Sequence, residues 1–376
     1  MDFGFSDEQE LLRAEARKFL DQNASLEVVR KISETDEGVD RALWNRMAEL
    51  GWVGLTMPEE HGGMGLDLVT LIVLLEETGR SLFPSPLIST VLAARAIEHA
   101  GSEAQKERWL PGLADGSKIG AFAYLEDTDR HDAEGLALLG ERDGDATLLS
   151  GAKQLVGDTA SADLFVVAYR SGSEADRVSL AVVERGAAGL EIDDFPTMDQ
   201  TKRVGRLRLD AVRVGDDSRL GADGSAGVLF SKLLDIGALF VAAEAVGAAE
   251  GAVALTRDFA NERIQFGEPI GRFQGVKHPL AEAHVDVESF KSLVYYAAWA
   301  LEEGADDAPR AVSRAKAYAS EAFPRIGIEG VQLHGAVGYT EEYDIQLYLK
   351  RSKWMRPAFG DADHHYDRLA TIALNA

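Results

Sequence analysis

Four side chains between Arg263 and Gln274 stand out as a set able to hold a ligand. The segment NERIQFGEPIGRFQGVKHP, residues 261–279, contains a guanidinium (Arg263), two amides (Gln265 and Gln274) and an aromatic ring (Phe266). Together they suit a large anionic ligand with planar rings: arginine meets a phosphate, phenylalanine stacks, glutamine reads a base edge. Gly267, Pro269 and Gly271 break helix, and long apolar stretches flank the segment, so it is predicted to join two helix ends. A capped turn at a helix junction has the same pattern, and the segment alone does not separate the two.

Several other chemistries are excluded or disfavoured. The chain has 376 residues and no cysteine, which rules out disulfides, thiolate metal sites and thiol catalysis. No His, Asp and Glu cluster has metal-ligand spacing, so no metal is expected. There is no Gly-x-Ser-x-Gly elbow to support a hydrolase triad. The loop GWVGLTMPEEHGGMGLD carries Gly62, Gly63 and Gly65, but no Lys-Ser/Thr follows and no strand-turn-helix frame surrounds it. It reads as a structural turn rather than a phosphate loop. The net charge of −24 argues against a nucleic-acid partner. The N-terminal MDFGFSDEQELLRAEARKFL is amphipathic, unlike a signal or transit peptide. No uninterrupted apolar run reaches about 18 residues, so no membrane span is expected. These features predict a soluble cytoplasmic protein.

The elements that must position the set follow from periodicity. Phe3 and Phe5 precede Ser6, an N-cap, and Leu12, Ala16, Phe19 and Leu20 recur at helical spacing. Helices are predicted over about 42–50, 68–79, 89–100 and 103–113. From about Lys118 to Leu220 short period-two runs such as LFVVAYR and VSLAVVER alternate with Asp-Gly, Ser-Gly and Gly-Ala-Ala-Gly turns. They predict an antiparallel sheet forming a small barrel or sandwich. From about Ala226 four long helices are expected, over 226–262, 277–303, 309–334 and 342–354, with a shorter one at 361–374. Pro324 should kink the third. The fold class is α+β and multi-domain: a helical domain (1–117), a β domain (118–222) and a four-helix bundle (223–376).

Six segments in order give the chain a resemblance to the acyl-CoA dehydrogenase family. They are the Asp-Phe-x-Phe-Ser-x-Glu-Gln opening, MPEEHGGMG at 57–65, LPGLADG at 110–116, SGAKQLV…ASAD at 150–163, RIQFGEPIGRFQGVKHPLAE at 263–282 and GVQLHGAVGYTEEY at 330–343. The resemblance implies the same three-part fold and a tetramer with FAD at a subunit interface. It implies that Arg263, Gln265, Phe266 and Gln274 hold the FAD of a neighbouring subunit. Gln332, Gly335 and Gly338 look like the residues lining its pyrophosphate and adenosine, where bare glycine lets backbone N–H groups approach phosphate.

The chain departs from the family elsewhere. A Thr-Glu-Pro-x-x-Gly-Ser-Asp segment that meets the flavin is replaced by YLEDTDRHD at 124–132. A Trp-Ile-Thr beside the ring is replaced by Leu155, Val156 and Gly157, leaving the Val156 and Gly157 amides as possible donors. The reaction implied needs a carboxylate base to take the α-proton of a thioester. At the family's two sites for it this chain has Gly237, followed by Ala238, and either Phe359 or Asp361. Asp361 is the best base available, although it also reads as the N-cap of the last helix. Asp363 is a weaker choice, and Glu244 falls about two turns beyond the expected place. His364 and His365 read as surface or packing residues.

Two functions follow. One is an FAD-dependent acyl-CoA dehydrogenase passing electrons to an electron-transfer flavoprotein, in fatty-acid or steroid side-chain catabolism. The other is a degenerate partner subunit, of the kind found in bacterial heteromeric enzymes for steroid side chains, that completes a neighbour's FAD site.

Overall fold

The computed structural model describes residues 5–174 and 177–374. Phe3 lies outside them. The chain begins with six helices: α1 (Asp7–Asn23), α2 (Leu26–Ser33), α3 (Arg41–Glu49), α4 (Leu68–Arg80), α5 (Leu87–Ala100) and α6 (Glu103–Ala114). Ser6 and Gln9 close a capping box on α1, and Ser102 and Gln105 do the same on α6. Helix α2 has no counterpart in the sequence reading. Its eight residues include the β-branched Val28, Val29 and Ile32, which weaken a helical signal already only two turns long.

Eight strands follow: β1 (Gly120–Ala123), β2 (Gly140–Asp143), β3 (Ala146–Gly157), β4 (Leu164–Arg170), β5 (Val178–Glu184), β6 (Leu190–Phe195), β7 (Val204–Val214) and β8 (Arg219–Leu220). They form two four-stranded sheets, ordered β1-β4-β5-β8 and β2-β3-β7-β6. All pairings are antiparallel except β1 with β4, which run parallel. The chain leaves the first sheet after β1, builds β2 and β3 in the second, and returns at β4. That crossover allows the parallel pair.

The remainder is helical: α7 (Gly227–Glu262), a hairpin of β9 (Ile264–Gln265) and β10 (Glu268–Pro269), then α8 (Gln274–Glu302), α9 (Ala308–His334), α10 (Ile345–Met355) and α11 (Ala362–Leu374). Pro324 lies inside α9 without ending it. Helix α7 is long and apolar enough to cross a bilayer, but 72% of its most apolar window is buried within the protein, as in a core helix.

The chain divides into two compact units. One takes residues up to Lys31, Leu68–Phe83 and the chain from Ala238 onward; the other takes Ile32–Asp67 and Pro84–Gly237. In the first, α4 is enclosed along nearly its whole length. It packs backbone to backbone on α7: a Cβ at Gly79 would collide with the Glu244 carbonyl, and one at Gly247 with the Glu76 carbonyl. The enclosed carboxylates of α4 are met by α1. Arg17 clasps Glu77 through two bonds of 2.9 and 2.7 Å, and Arg13 reaches Glu76 at 3.2 Å. Tyr295 of α8 donates to Glu76 at 2.8 Å.

Candidate cofactor and active site

The arm at 263–274 begins where α7 ends. Gln265 pairs with Glu268 and Ile264 with Pro269, leaving Phe266 and Gly267 as a two-residue turn. Both have positive φ, 56° and 83°, as primed hairpin turns require. Glycine suits this conformation and phenylalanine does not. The Phe266 side chain is also 93% exposed, meeting Phe273 edge-on at 6.0 Å. A bulky ring is thus held in a disfavoured backbone conformation and left uncovered. Arg263, Gln265 and Gln274 are likewise exposed.

The second segment is brought to the same end of the unit by a ring stack. His334, the last residue of α9, lies on Phe259 of α7 with centroids 4.3 Å apart and planes at 28°. Its Nδ1 is 2.7 Å from the Gly330 carbonyl. Gln332 is exposed. Gly335 has φ 64°, and a Cβ there would meet no atom within 4 Å, so its backbone is open to approach. Gly338 differs: it is buried, and a side chain would run into the Val331 carbonyl and His334. Its bareness serves packing.

In the other unit, Val156 and Gly157 end β3 opposite Gly205 and Val204 of β7. The Asp158 amide donates to Arg203 O at 2.9 Å, and antiparallel ladders alternate. The Val156 N–H is therefore turned to β7 and the Gly157 N–H away from it. Of the two expected donors, Gly157 is the one aimed outward. A register shift between Lys153 and Val156 puts Leu155 at φ 47° and 55% exposed.

The departing segment 124–132 is tied down from below. Fully enclosed Lys153 donates to Glu126 at 2.6 Å and to the Tyr124 carbonyl at 3.3 Å. Glu126 also accepts from the amides of Ala137 and Leu138, at 2.9 and 3.1 Å. Burial lowers the Lys153 ammonium to about 8 against the opposing pull of Glu126. Tyr124 O–H meets His131 Nδ1 at 2.8 Å, and its ring stacks on Phe122 and stands edge-on to Phe230. Burial raises the Tyr124 hydroxyl far above its ordinary range. Sequence reasoning passed over Glu126 and Lys153. The available signal was a lysine at an inward position of a period-two run.

The acids are placed as follows. Glu244 is buried, with Arg351 of α10 at 3.9 Å; Arg351 also donates to the Leu82 carbonyl. This is charge inside a helical core. Gly237 and Ala238 are buried in α7. Asp361 is half-buried and caps α11, accepting from the His364 amide at 3.1 Å. Before it, Phe359 and Gly360 turn the chain with φ 56° and 92°. His365 is buried, against the Phe359 carbonyl at 3.1 Å and Ser313 Oγ at 3.3 Å. Burial first, then Lys316 and His364, push its imidazole down to about 2. No group of three His, Cys, Asp or Glu able to hold a metal occurs among the described residues.

Family models for the acyl-CoA dehydrogenase N-terminal domain and C-terminal domain match residues 6–117 and 228–374. The chain belongs to the acyl-CoA dehydrogenase family. Acyl-CoA dehydrogenase IpdE2 of Mycolicibacterium smegmatis is 32% identical over 97% of this chain and 98% of that protein. Butyryl-CoA dehydrogenase of Megasphaera elsdenii superposes with a TM-score of 0.91 at 28% identity, covering all of both chains. A chain of the ChsE4–ChsE5 complex of Mycobacterium tuberculosis gives 0.91 at 26% identity, again covering both fully. Family members are oxidoreductases acting on the CH–CH bond of an acyl-CoA, and FAD is their cofactor. The residues present fit that group in their chemistry: Arg263 is an exposed guanidinium suited to phosphate, Phe266 an uncovered ring, and Gly335 a backbone open to approach.

Proposed function

We propose that this acyl-CoA dehydrogenase is an FAD-dependent enzyme introducing an α,β double bond into an acyl-CoA thioester, with Asp361 as the base. The observation that carries the reading is the hairpin at 263–269, whose strained and uncovered Phe266 stands beside Arg263 at the end of the unit that also presents Gln332 and Gly335. Arg263 would pair with phosphate, Phe266 would pack on a ring, Gln265, Gln274 and Gln332 would supply amide contacts, and Gly335 would give backbone access. Gly338 would hold that backbone in place, and the outward Gly157 N–H would donate to the ring edge, with Val156 fixing its strand. FAD, when bound, supplies the hydride acceptor. The chain's own part in the reaction is proton removal: Asp361 spends one carboxylate oxygen on the His364 amide, and its other oxygen takes the α-proton. The electrons would pass on to an electron-transfer flavoprotein. The protein would work in the cytoplasm as a homo-oligomer in which each arm serves a neighbour.

A second reading is favoured by the departures at 124–132 and 155–157 and by the absence of glutamate at both family positions for the base. Here the chain is a partner subunit, completing the FAD site of a sister chain in a hetero-oligomer; its likeness to a chain of the ChsE4–ChsE5 complex supports this. Purification decides between them. An independent enzyme is yellow when produced alone and bleaches anaerobically with an acyl-CoA, and Asp361→Ala abolishes the bleaching. A partner subunit is colourless alone and gains flavin when produced with its sister chain.

A further inference from the structure

The segment between α10 and α11 carries three backbone carbonyls turned toward the protein interior, those of Arg356, Phe359 and Gly360. Two consecutive left-handed residues, Phe359 and Gly360, produce that arrangement, and one of them is an L-residue with a bulky ring. Lys316 of α9 meets the segment from below. It is buried, and its Nζ lies 2.6 Å from Gly360 O, 3.0 Å from Arg356 O and 2.7 Å from Ser320 Oγ. Three acceptors match the three protons of an ammonium. Ser320 passes a further bond to Arg356 O at 3.3 Å. His365 meets the segment from α11. A carbonyl can only accept, so Nε2 carries the proton given to Phe359 O, and Nδ1 accepts from Ser313.

We propose that Lys316 and His365 are positioning residues for the acid-bearing segment, holding 356–360 so that Asp361 is presented at the start of α11. A lysine is costly to bury, and Lys316 lies among the buried α9 residues Val312, Ser313, Ala315, Ala317, Ala319 and Ser320. What a methionine could not do is bind two carbonyls of the next segment. The inference rests on Asp361 as the base, and the test separates the two.

In the flavin-loaded protein, His365→Leu removes the bond to Phe359 O, whereas His365→Gln keeps an amide donor within reach. Lys316→Met removes the other clamp. A shift of about 1 Å in a catalytic group can cost about 100-fold in rate. His365→Leu and Lys316→Met are therefore expected to lower kcat about tenfold or more, with KM and flavin content unchanged. His365→Gln should stay within about threefold of the parent. Hydrogen exchange at amides 358–364 gives a readout without turnover, expected about tenfold faster in His365→Leu and unchanged in His365→Gln. If Lys316→Met fails to fold, the His365 pair decides. Parent-like kcat and exchange in His365→Leu, or no rescue by His365→Gln, overturns the inference while leaving Asp361 in place. Full activity in Asp361→Ala, or no turnover by the parent, ends the reading of Asp361 as base and the positioning role with it.

Discussion

Lys153 shows how a single buried side chain can tie two segments together. Its ammonium ties Glu126 and the Tyr124 carbonyl to the strand that ends in Val156 and Gly157. Lys153→Met would leave the Glu126 carboxylate buried beside two amides with its cation gone. The expected cost is about 3–5 kcal/mol, read as a lower denaturant midpoint, with partial recovery in the double variant Lys153→Met/Glu126→Gln. A midpoint within error of the parent would show that the pair carries no such weight. Arg263 makes the opposite case, an exposed cation whose loss should hardly touch folding. Arg263→Ala is expected to keep the parent's melting temperature and lose bound flavin; unchanged flavin content would remove the arm from the cofactor site. Arg263, Gln265, Phe266 and Gln274 could be singled out in the sequence because they fall in one short segment, although that segment alone reads equally as a capped turn. Glu126, Lys153 and Lys316 could not be singled out. Their roles depend on partners brought from distant segments, and a charged residue in a sequence carries no sign of being buried.

At the scale of elements, the long helices were legible from apolar spacing and caps, and the strands from period-two runs between turns. The parallel pairing of β1 with β4 was not, because strand order depends on which sheet the chain enters next and leaves no local mark. The hairpin of β9 and β10 was hidden too: two residues per strand are too few for a periodic signal, and Phe266 is a poor candidate for a left-handed turn. The crossing of α4 and α7 leads to a sharper expectation. Gly247→Ala would drive a methyl group into the Glu76 carbonyl, and backbone has no rotamer to yield. Overpacking of this kind costs about 1–3 kcal/mol, and more where nothing can relax. Thermal melting should show a clear loss, whereas Gly186→Ala, at a glycine with open space around it, should not.

At the scale of the whole molecule, buried charge makes stability depend on pH. Burial raises Glu76 to about 7, despite the opposing Lys291, Tyr295 and Arg13. An unfolded glutamate loses its proton near the ordinary value of 4.5. Between about 4.5 and 7 the folded state therefore holds a proton that the unfolded state has released. The stabilisation from this group is complete below about 4.5 and is lost as pH rises through about 7. Glu76→Gln cannot titrate. The stability difference between parent and variant should thus shift in the variant's favour as pH rises across that window, and a pH-independent difference would show that Glu76 does not carry the proton. The net charge of −24, dispersed over 376 residues, says little about any of this. The glycine crossing in the same unit has a consequence for descent. Each glycine faces the other helix's carbonyl and not the other glycine, so enlarging one cannot be offset by shrinking its opposite number. Lineages that keep these two helices at this separation have no paired route away from glycine at 79 and 247, and drift there is barred at both positions independently.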